Sequence, residues 1–265
     1  MNKTIFFITL IILSALFFSF YRIENKLAIN FLDVGQGDAI LIRTPDGQNI
    51  LIDGGPDNLL LSQMADKLPW WEDTIDYLII THWHDDHMMG FVELLEKYEV
   101  KHVLVSNHQP DHFLYNIFTQ KLQENNIQPQ IVQAGESFMF SDDLYFRVLL
   151  ADYWHEDFNE NSVVIKLSYK DKNVLLMGDL PIEGEQKLLS GGFDLNSQYL
   201  KVGHHGSKYS SSLEFLQAVQ PEFCIIQSGL DNKFGHPHQE AIERLKKVGC
   251  EIENTQDLGT ISFSF

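Results

Sequence analysis

The chain predicts an α/β fold, α+β in its detail: two central sheets, each covered by helices, preceded by an N-terminal hydrophobic helix. Three observations carry this expectation. β-rich and amphipathic segments alternate in two halves with no linker or short-period repeat between them, as two sheets sharing one core require. The apolar run Ile75–Ile80 reads as a buried strand and leads straight into Thr81-His82-Trp83-His84-Asp85-Asp86-His87, so a histidine-rich loop begins where a strand ends. The first twenty residues are a nearly uninterrupted apolar run with only Lys3 before it.

Residues 1–23 are therefore read as a membrane anchor or signal segment, and residues 24–265 as the folded domain. An apolar run of about 16 residues is short for a span and long for a signal-peptide core. No A-x-A pattern follows, because Phe18-Ser19-Phe20-Tyr21-Arg22 surrounds any cut, which favours an uncleaved anchor. Arg22 and Lys26 against Lys3 lean toward a cytoplasmic domain, whereas signal-anchor behaviour argues for the other face. The expectation is a membrane-anchored or exported protein, with its side left open.

The first half opens with strands Leu27–Phe31 and Ala39–Arg43, a Pro45-Asp46-Gly47 turn and Asn49–Ile52, an antiparallel meander. Leu59–Leu68 and Phe91–Tyr98 are helices flanking the strand Ile75–Ile80. His102–Ser106 follows as a strand and Leu114–Asn125 as a helix, with apolar residues at Leu114, Phe118 and Leu122. In the second half Leu144–Leu150, Val163–Tyr169 and Asn173–Met177 are strands, and Lys170-Asp171-Lys172 is a turn. Ile182–Leu189, Leu213–Val219 and Ala241–Val248 are the covering helices.

Composition suits one enzyme domain, at 265 residues and 44% hydrophobic. A net charge of −18 with no basic stripe, and only a few cations near the motif loops, Lys201 and Lys208 among them, argues against a surface for long nucleic acid, which is bound by displacing counterions with Lys and Arg. Cys224 and Cys250 lack C-x-x-C spacing and are expected as buried structural residues. Trp70-Trp71 is expected to pack on the core rather than to line a substrate entrance.

Three histidines and two aspartates in one short loop suit a divalent first-row metal, zinc or manganese, because borderline cations take imidazole and carboxylate donors. His82 and His84 alternate along extended backbone, so they point the same way and can hold one ion together. Asp86 and His87 come after the chain turns and suit a second ion. A strand-end aspartate such as Asp179, with Pro181 beyond it, reads either as a ligand or as a helix cap. His236 and His238, flanking Pro237, could contact a phosphate or cap a helix. His102, His108 and His112 have no ligand spacing and read as surface or loop histidines.

The pattern H-x-H-x-D-H after a hydrophobic strand resembles the signature loop of the metallo-β-lactamase superfamily, with His82, His84, Asp86 and His87 in its positions and Asp85 in a variable one. Leu51-Ile52-Asp53-Gly54-Gly55, Leu176-Met177-Gly178-Asp179 and Val202-Gly203-His204-His205-Gly206-Ser207 match further family segments in order. Phe31–Ala39, Lys201–Ser207 and Phe234-Gly235-His236-Pro237 look most like the hydrolase domain of ComEC-type competence proteins. The resemblance implies a four-layer αββα sandwich and two divalent ions bridged by Asp179. It also implies His205 as the last ligand, His204 facing the substrate, and Asp53 orienting a ligand from behind. One departure stands out: where most members carry another ligand histidine, this chain reads Asn159-Glu160-Asn161-Ser162-Val163. Water, Asn161 or a substrate oxygen could complete that ion.

The implied chemistry is hydrolysis by a water whose pKa the ions lower. Asp86 would position or deprotonate it, while His204, His236 or Lys208 would stabilise the leaving group. A phosphodiester substrate is expected. A lactonase or other carboxylic-ester or lactam hydrolase, and a non-catalytic membrane-anchored module, are the alternatives.

Overall fold

The structure, a computed structural model, describes residues 6–14, 26–151 and 155–265. Two seven-stranded sheets lie face to face. The first follows the spatial order β14 (Ile261–Ser264), β1 (Ala28–Phe31), β2 (Ile40–Arg43), β3 (Asn49–Ile52), β4 (Thr74–Ile79), β5 (Glu99–Val105), β6 (Gln130–Ile131). The second follows β13 (Glu251–Asn254), β12 (Phe223–Ile226), β11 (Tyr199–Lys201), β10 (Lys172–Leu176), β9 (Val164–Tyr169), β8 (Leu144–Leu150), β7 (Ser137–Ser141).

Successive side chains on a strand point to opposite faces, and that alternation sorts the apolar residues into layers. Ile40 and Ile42 of β2, Ile50 and Ile52 of β3, and Val174 and Leu176 of β10 enter the core between the sheets. Their neighbours Leu41 and Leu51 face outward to a second core under α2 (Leu59–Ala65), α4 (Gly90–Lys97) and α5 (Phe113–Glu124). Leu175 faces a third core under α6 (Ile182–Ser190), α7 (Leu213–Val219) and α8 (Gln239–Lys247). The expected sandwich of two sheets between helices is therefore present.

In each sheet an antiparallel meander is followed by parallel strands: β3, β4, β5 and β6 in the first, and β10, β11, β12 and β13 in the second. The carboxyl ends of parallel strands share one edge, and the loops leaving that edge can converge on a site. Asp53 follows β3, His82 follows β4, Asp179 follows β10 and His205 follows β11. The elements expected from the sequence are found with ends moved by one to three residues. Strands β6 and β7 were not foreseen, and neither were β11 to β14, the last four of the chain. These last four are three or four residues long, and β13 carries Glu251, Glu253 and Asn254, so no apolar run marks it.

Three expectations need comment. Of the N-terminal segment, residues 6–14 form a helix, α1, whose apolar side chains are exposed. Among the described residues no helix is long and apolar enough to cross a membrane, and residues 1–5 and 15–25 lie outside the described residues. Cys224 and Cys250 are buried as expected, but they are also joined in a disulfide that ties β12 to the start of β13. Trp70 and Trp71 do not pack on the core: they are 91% and 53% exposed in the connection from α2 to β4. That connection emerges at the edge opposite the strand ends, where neither the core nor the substrate would meet them.

Phe146 of β8 is buried in the layer between the sheets. Phe146→Ala is expected to destabilise the protein by about 3–5 kcal/mol, because the cavity closes only partly. Denaturant unfolding checks this, and a change below about 1 kcal/mol would mean that the sheets do not meet there as described.

Candidate metal centre

The signature loop bends where extended backbone gives way to a short helix, α3 (Asp85–Met88). His82 and His84 remain on the strand extension with Nε2 of one 3.2 Å from Nδ1 of the other, and the bend brings His87 back beside His82, ring centroids 4.1 Å apart, so that His82 groups with His87 and Asp179 rather than with His84. Trp83, between the two histidines, points the opposite way into the outer core, where its indole N–H donates to the carbonyl of His108.

Backbone hydrogen bonds stitch the loops together. Asp38 N–H donates to the Asp86 carbonyl at 3.2 Å, Gly55 N–H to that of Asp38 at 2.8 Å, and Gly54 N–H to that of His87 at 2.6 Å. Between the sheets, Val163 N–H donates to the Thr81 carbonyl at 2.8 Å, and within the second sheet's loops His204 N–H donates to that of Gly178 at 3.1 Å. Gly37 is required by this closeness, since a Cβ there would lie 2.3 Å from the Asp86 carbonyl oxygen. His204 and His205 both adopt left-handed backbone, with φ of 50° and 53°. Such strain persists only where surrounding contacts fix it. Here Glu185 of α6 accepts the N–H groups of Ser211 and Ser212, and Arg244 of α8 donates to the carbonyls of Lys208, Ser210 and Ser211.

His82, His87, Asp179 and His205 are buried and converge, and Asp86 closes the group. His205 Nε2 lies 3.3 Å from Asp179 and 3.4 Å from Asp86, His87 Nε2 lies 3.4 Å from Asp179, and His82 Nε2 lies 3.9 Å from it. Among the described residues four groups could hold an ion: His82–His87–Asp179 and Asp86–His87–His205, and two that draw on the carboxylates behind them, Asp38–Asp53–His87 and Asp38–Asp179–His205. The donor chemistry fits a cation, because His87 Nε2, His205 Nε2 and Asp179 Oδ1 are buried and have no hydrogen-bond partner. Such groups are costly unless something meets them. His204 is partly exposed with its Nε2 3.8 Å from Asp179, so it stands at the rim rather than in the cluster.

Behind the converging nitrogens stands a row of carboxylates. Asp53 Oδ2 accepts from His87 Nδ1 at 2.8 Å and from the Thr81 hydroxyl at 2.7 Å, and that hydroxyl is 3.0 Å from His82 Nδ1. One carboxylate thus orients two imidazoles, as expected for Asp53 but with the added reach through Thr81. His205 Nδ1 donates to the Gln227 carbonyl at 2.9 Å and lies 3.2 Å from Asp38, whose other oxygen pairs with Lys201 at 2.7 Å. Sequence reading missed Asp38, Thr81 and Gln227 as supports, although Asp38 stood within the family segment before β2. It also counted Lys201 among cations near the motif loops, where the structure shows it fully buried and paired.

Electrostatics follow from this packing. Burial disfavours charge on Asp179, yet His205, His87 and His204 outweigh it and hold its carboxyl well below the ordinary range. Burial likewise opposes charge on His87 and His205, but Asp179 with Asp53 or Asp38 raises both imidazoles well above theirs. His82, with less compensation, is lowered by burial and by His87. The carboxylates favour positive charge at His87 and His205, as a cation-binding pocket should. His236, set edge-on to His204 with ring centroids 5.4 Å apart, is pushed down to about 4 by burial and then by His205 and His204.

Asn161 is not turned to the centre. Its amide is used up within its own loop, accepting from His155 N–H at 2.7 Å and donating to the carbonyls of His155 and Asp157. Ser162 beside it accepts the Asp179 N–H at 3.1 Å. His238 makes no side-chain cap for α8 and instead accepts the Lys208 N–H at 3.1 Å. His108 is buried rather than at the surface, and His112 lies 3.5 Å from Asp85. A cavity of about 560 Å³ opens beside the centre, lined by His204, His155, Asp157, Glu160, Glu183 and Tyr209 among others.

The family model described as the metallo-beta-lactamase superfamily matches residues 32–226. The chain belongs to that superfamily. Its family and its donor set place it with the metal-dependent hydrolases of this fold, and its sequence relatives support a ComEC-type domain within it. It is 28% identical to ComE operon protein 3 of Bacillus subtilis over 94% of this chain and 34% of that protein. It is 30% identical to recombination protein 2 of Haemophilus influenzae over 89% and 29%. The chain thus spans about a third of the length of the curated relatives it matches. Among solved structures it shares its fold with a diphosphatase of the PhnP family, at TM-score 0.54 and 14% identity, over 90% of this chain and 98% of that one.

Asp53→Asn keeps the volume of the side chain and removes the charge behind His87 and Thr81. Metal affinity is expected to fall about 10- to 100-fold, as for other supports of metal-bound histidines. Chelator competition measures it, and unchanged affinity would show that Asp53 does not orient the ligands.

Proposed function

We propose that the chain is a metal-dependent phosphodiesterase acting on small or short phosphodiesters. The observation that carries this reading is the convergence of unpartnered imidazole and carboxylate atoms on Asp179, beside an open cavity. His82, His84 and Asp179 would hold one divalent ion, and Asp86, His87, Asp179 and His205 the other; zinc fits the imidazole-rich set best, with manganese as the second choice. Bound there, the ions would supply Lewis acidity toward the substrate and lower the pKa of a water. The first site has one protein ligand fewer than the second, which leaves room for substrate because Asn161 is engaged elsewhere.

The chain's own residues then divide the remaining work. Asp86, ionised and held by His205, is placed to orient the attacking water and accept its proton. His204 stands between the centre and the cavity, where it can donate to a phosphoryl oxygen or to the leaving group. His236, neutral at physiological pH, lies behind His204 and limits its orientations. A phosphate ester fits the relatives named for competence and recombination and the diphosphatase of the same fold. The acidic cavity wall and the loss of Lys201 to Asp38 favour a short substrate over a long polyanion.

An aryl phosphodiester, a lactone and a cephalosporin offered to the purified full chain test the assignment. Turnover of the phosphodiester is expected, abolished with loss of metal in Asp179→Ala and little changed in Asp85→Ala. Lactone or cephalosporin turnover without phosphodiester turnover would contradict the proposal.

Binding of a fluorescent single strand to the inactive His84→Ala variant is expected to be weak and to change little between low and physiological salt. Tight binding that falls steeply with salt would instead reveal a basic groove and a processive nuclease.

Residues 1–23 would anchor the domain formed by residues 24–265 to a membrane. The Cys224–Cys250 disulfide supports placing that domain on an oxidising face, since disulfides persist there. The full chain is expected to need detergent rather than salt for extraction from membranes, with Cys224 and Cys250 closed to alkylation until reduced. Release by salt would remove the anchor, and thiols open without reductant would remove the oxidising face.

A further inference from the structure

We propose that the Trp70-Trp71 connection is a bilayer-contact surface that seats the domain on the lipid interface entered by its N-terminal segment, with the metal centre held at the far edge of the sandwich. The proposal rests on the reading of residues 1–23 as an anchor. An indole 91% exposed is rare in a protein that can bury it, and here two adjacent ones are open to solvent, packed edge to face at 5.5 Å. Tryptophan is favoured where one part of the ring meets an apolar medium and its N–H stays in water, as at a membrane interface.

Topology decides where these indoles lie. β1 pairs antiparallel with β2, β2 antiparallel with β3, and β3 parallel with β4. Strands β1, β3 and β4 therefore run the same way, and their starts share one edge. Ala28, where the domain begins after the N-terminal segment, is at that edge, and so is Thr74, which the two tryptophans precede. Three strand spacings separate β1 from β4, about 14 Å at the usual 4.7–4.9 Å each. From Phe20, the end of the apolar run, to Ala28 the chain can reach about 28 Å when extended. A membrane holding that run is thus within reach of the tryptophans. The apolar side chains of α1 are exposed as well.

The same topology puts Asp53, His82, Asp179 and His205 at the opposite edge, after strand ends. Substrate would reach the centre from solution, and the seated edge would fix the direction in which the cavity opens. Glu72, Asp73 and Glu99 lie beside the tryptophans, so the surface suits a zwitterionic rather than an anionic interface.

The test compares the full chain with its Trp70→Ser/Trp71→Ser double variant in phosphatidylcholine vesicles, with and without bromine on the acyl chains near the carbonyl end. Both proteins are expected to float with vesicles and to turn over the aryl phosphodiester equally. Brominated lipid should quench the emission of the unsubstituted chain, and the double variant should lose that quenching. Trp83, 2% exposed within the core, and Trp154 are common to both proteins, so the difference between them isolates the pair. Flotation with emission equally bright in both lipids would overturn the seat while leaving the anchor in place. Protection of the pair that depends on protein concentration rather than on bromine would assign the surface to a second copy and overturn it as well. Failure to float would remove the anchor, and the seat with it.

Discussion

The arrangement depends on one electrostatic constraint: carboxylates and imidazoles gathered out of water, where strand ends of two sheets meet. Charges so placed are tolerable only if each is met by an opposite charge or a directed hydrogen bond. Each buried imidazole therefore has a fixed partner behind it: Asp53 for His87, Thr81 for His82, and the Gln227 carbonyl for His205. The outward nitrogens of His87 and His205 are left with no partner and face Asp179. The inward nitrogens of these imidazoles are hydrogen-bonded and the outward nitrogens of His87 and His205 are not, and that asymmetry defines a cation site.

The surrounding fold holds this geometry through backbone contacts rather than through the ligands alone. The Asp38, Asp53 and Asp86 loops are joined to one another by main-chain hydrogen bonds, and the segment Lys208–Ser212 that follows the His204-His205 turn is clamped by Glu185 and Arg244 from two helices. The strain of two left-handed histidines is confined to the place where one must enter the cluster and its neighbour must face the cavity. Lys201 serves the same end: buried beneath the centre, it neutralises Asp38 so that Asp38 can stand close to His205.

Much of this was legible in the sequence, because periodicity and local spacing are local properties. The strand preceding His82, the meander through Asn49–Ile52 and the helices with apolar stripes could be located from alternation alone. The candidate ligands within His82–His87 could be located because they sit on one short loop, but their pairing could not, since the bend sets His82 beside His87 and leaves His84 outside the groups. The late strands could not, since β11 has three residues and β13 is polar; their existence is set by the sheet that receives them. Asn161, Lys201 and the tryptophans were misplaced for a related reason. Whether an amide is spent within its own loop, whether a lysine meets a carboxylate far away in sequence, and whether an indole finds a core are matters of long-range packing.

Metal stoichiometry measured together with turnover tests the central claim most directly. The chain, stripped by chelator and titrated with zinc or manganese, should bind two ions per chain, and hydrolysis of an aryl phosphodiester should return in step with occupancy. Full turnover in metal-free protein, or two bound ions with no hydrolysis of any ester offered, would contradict it.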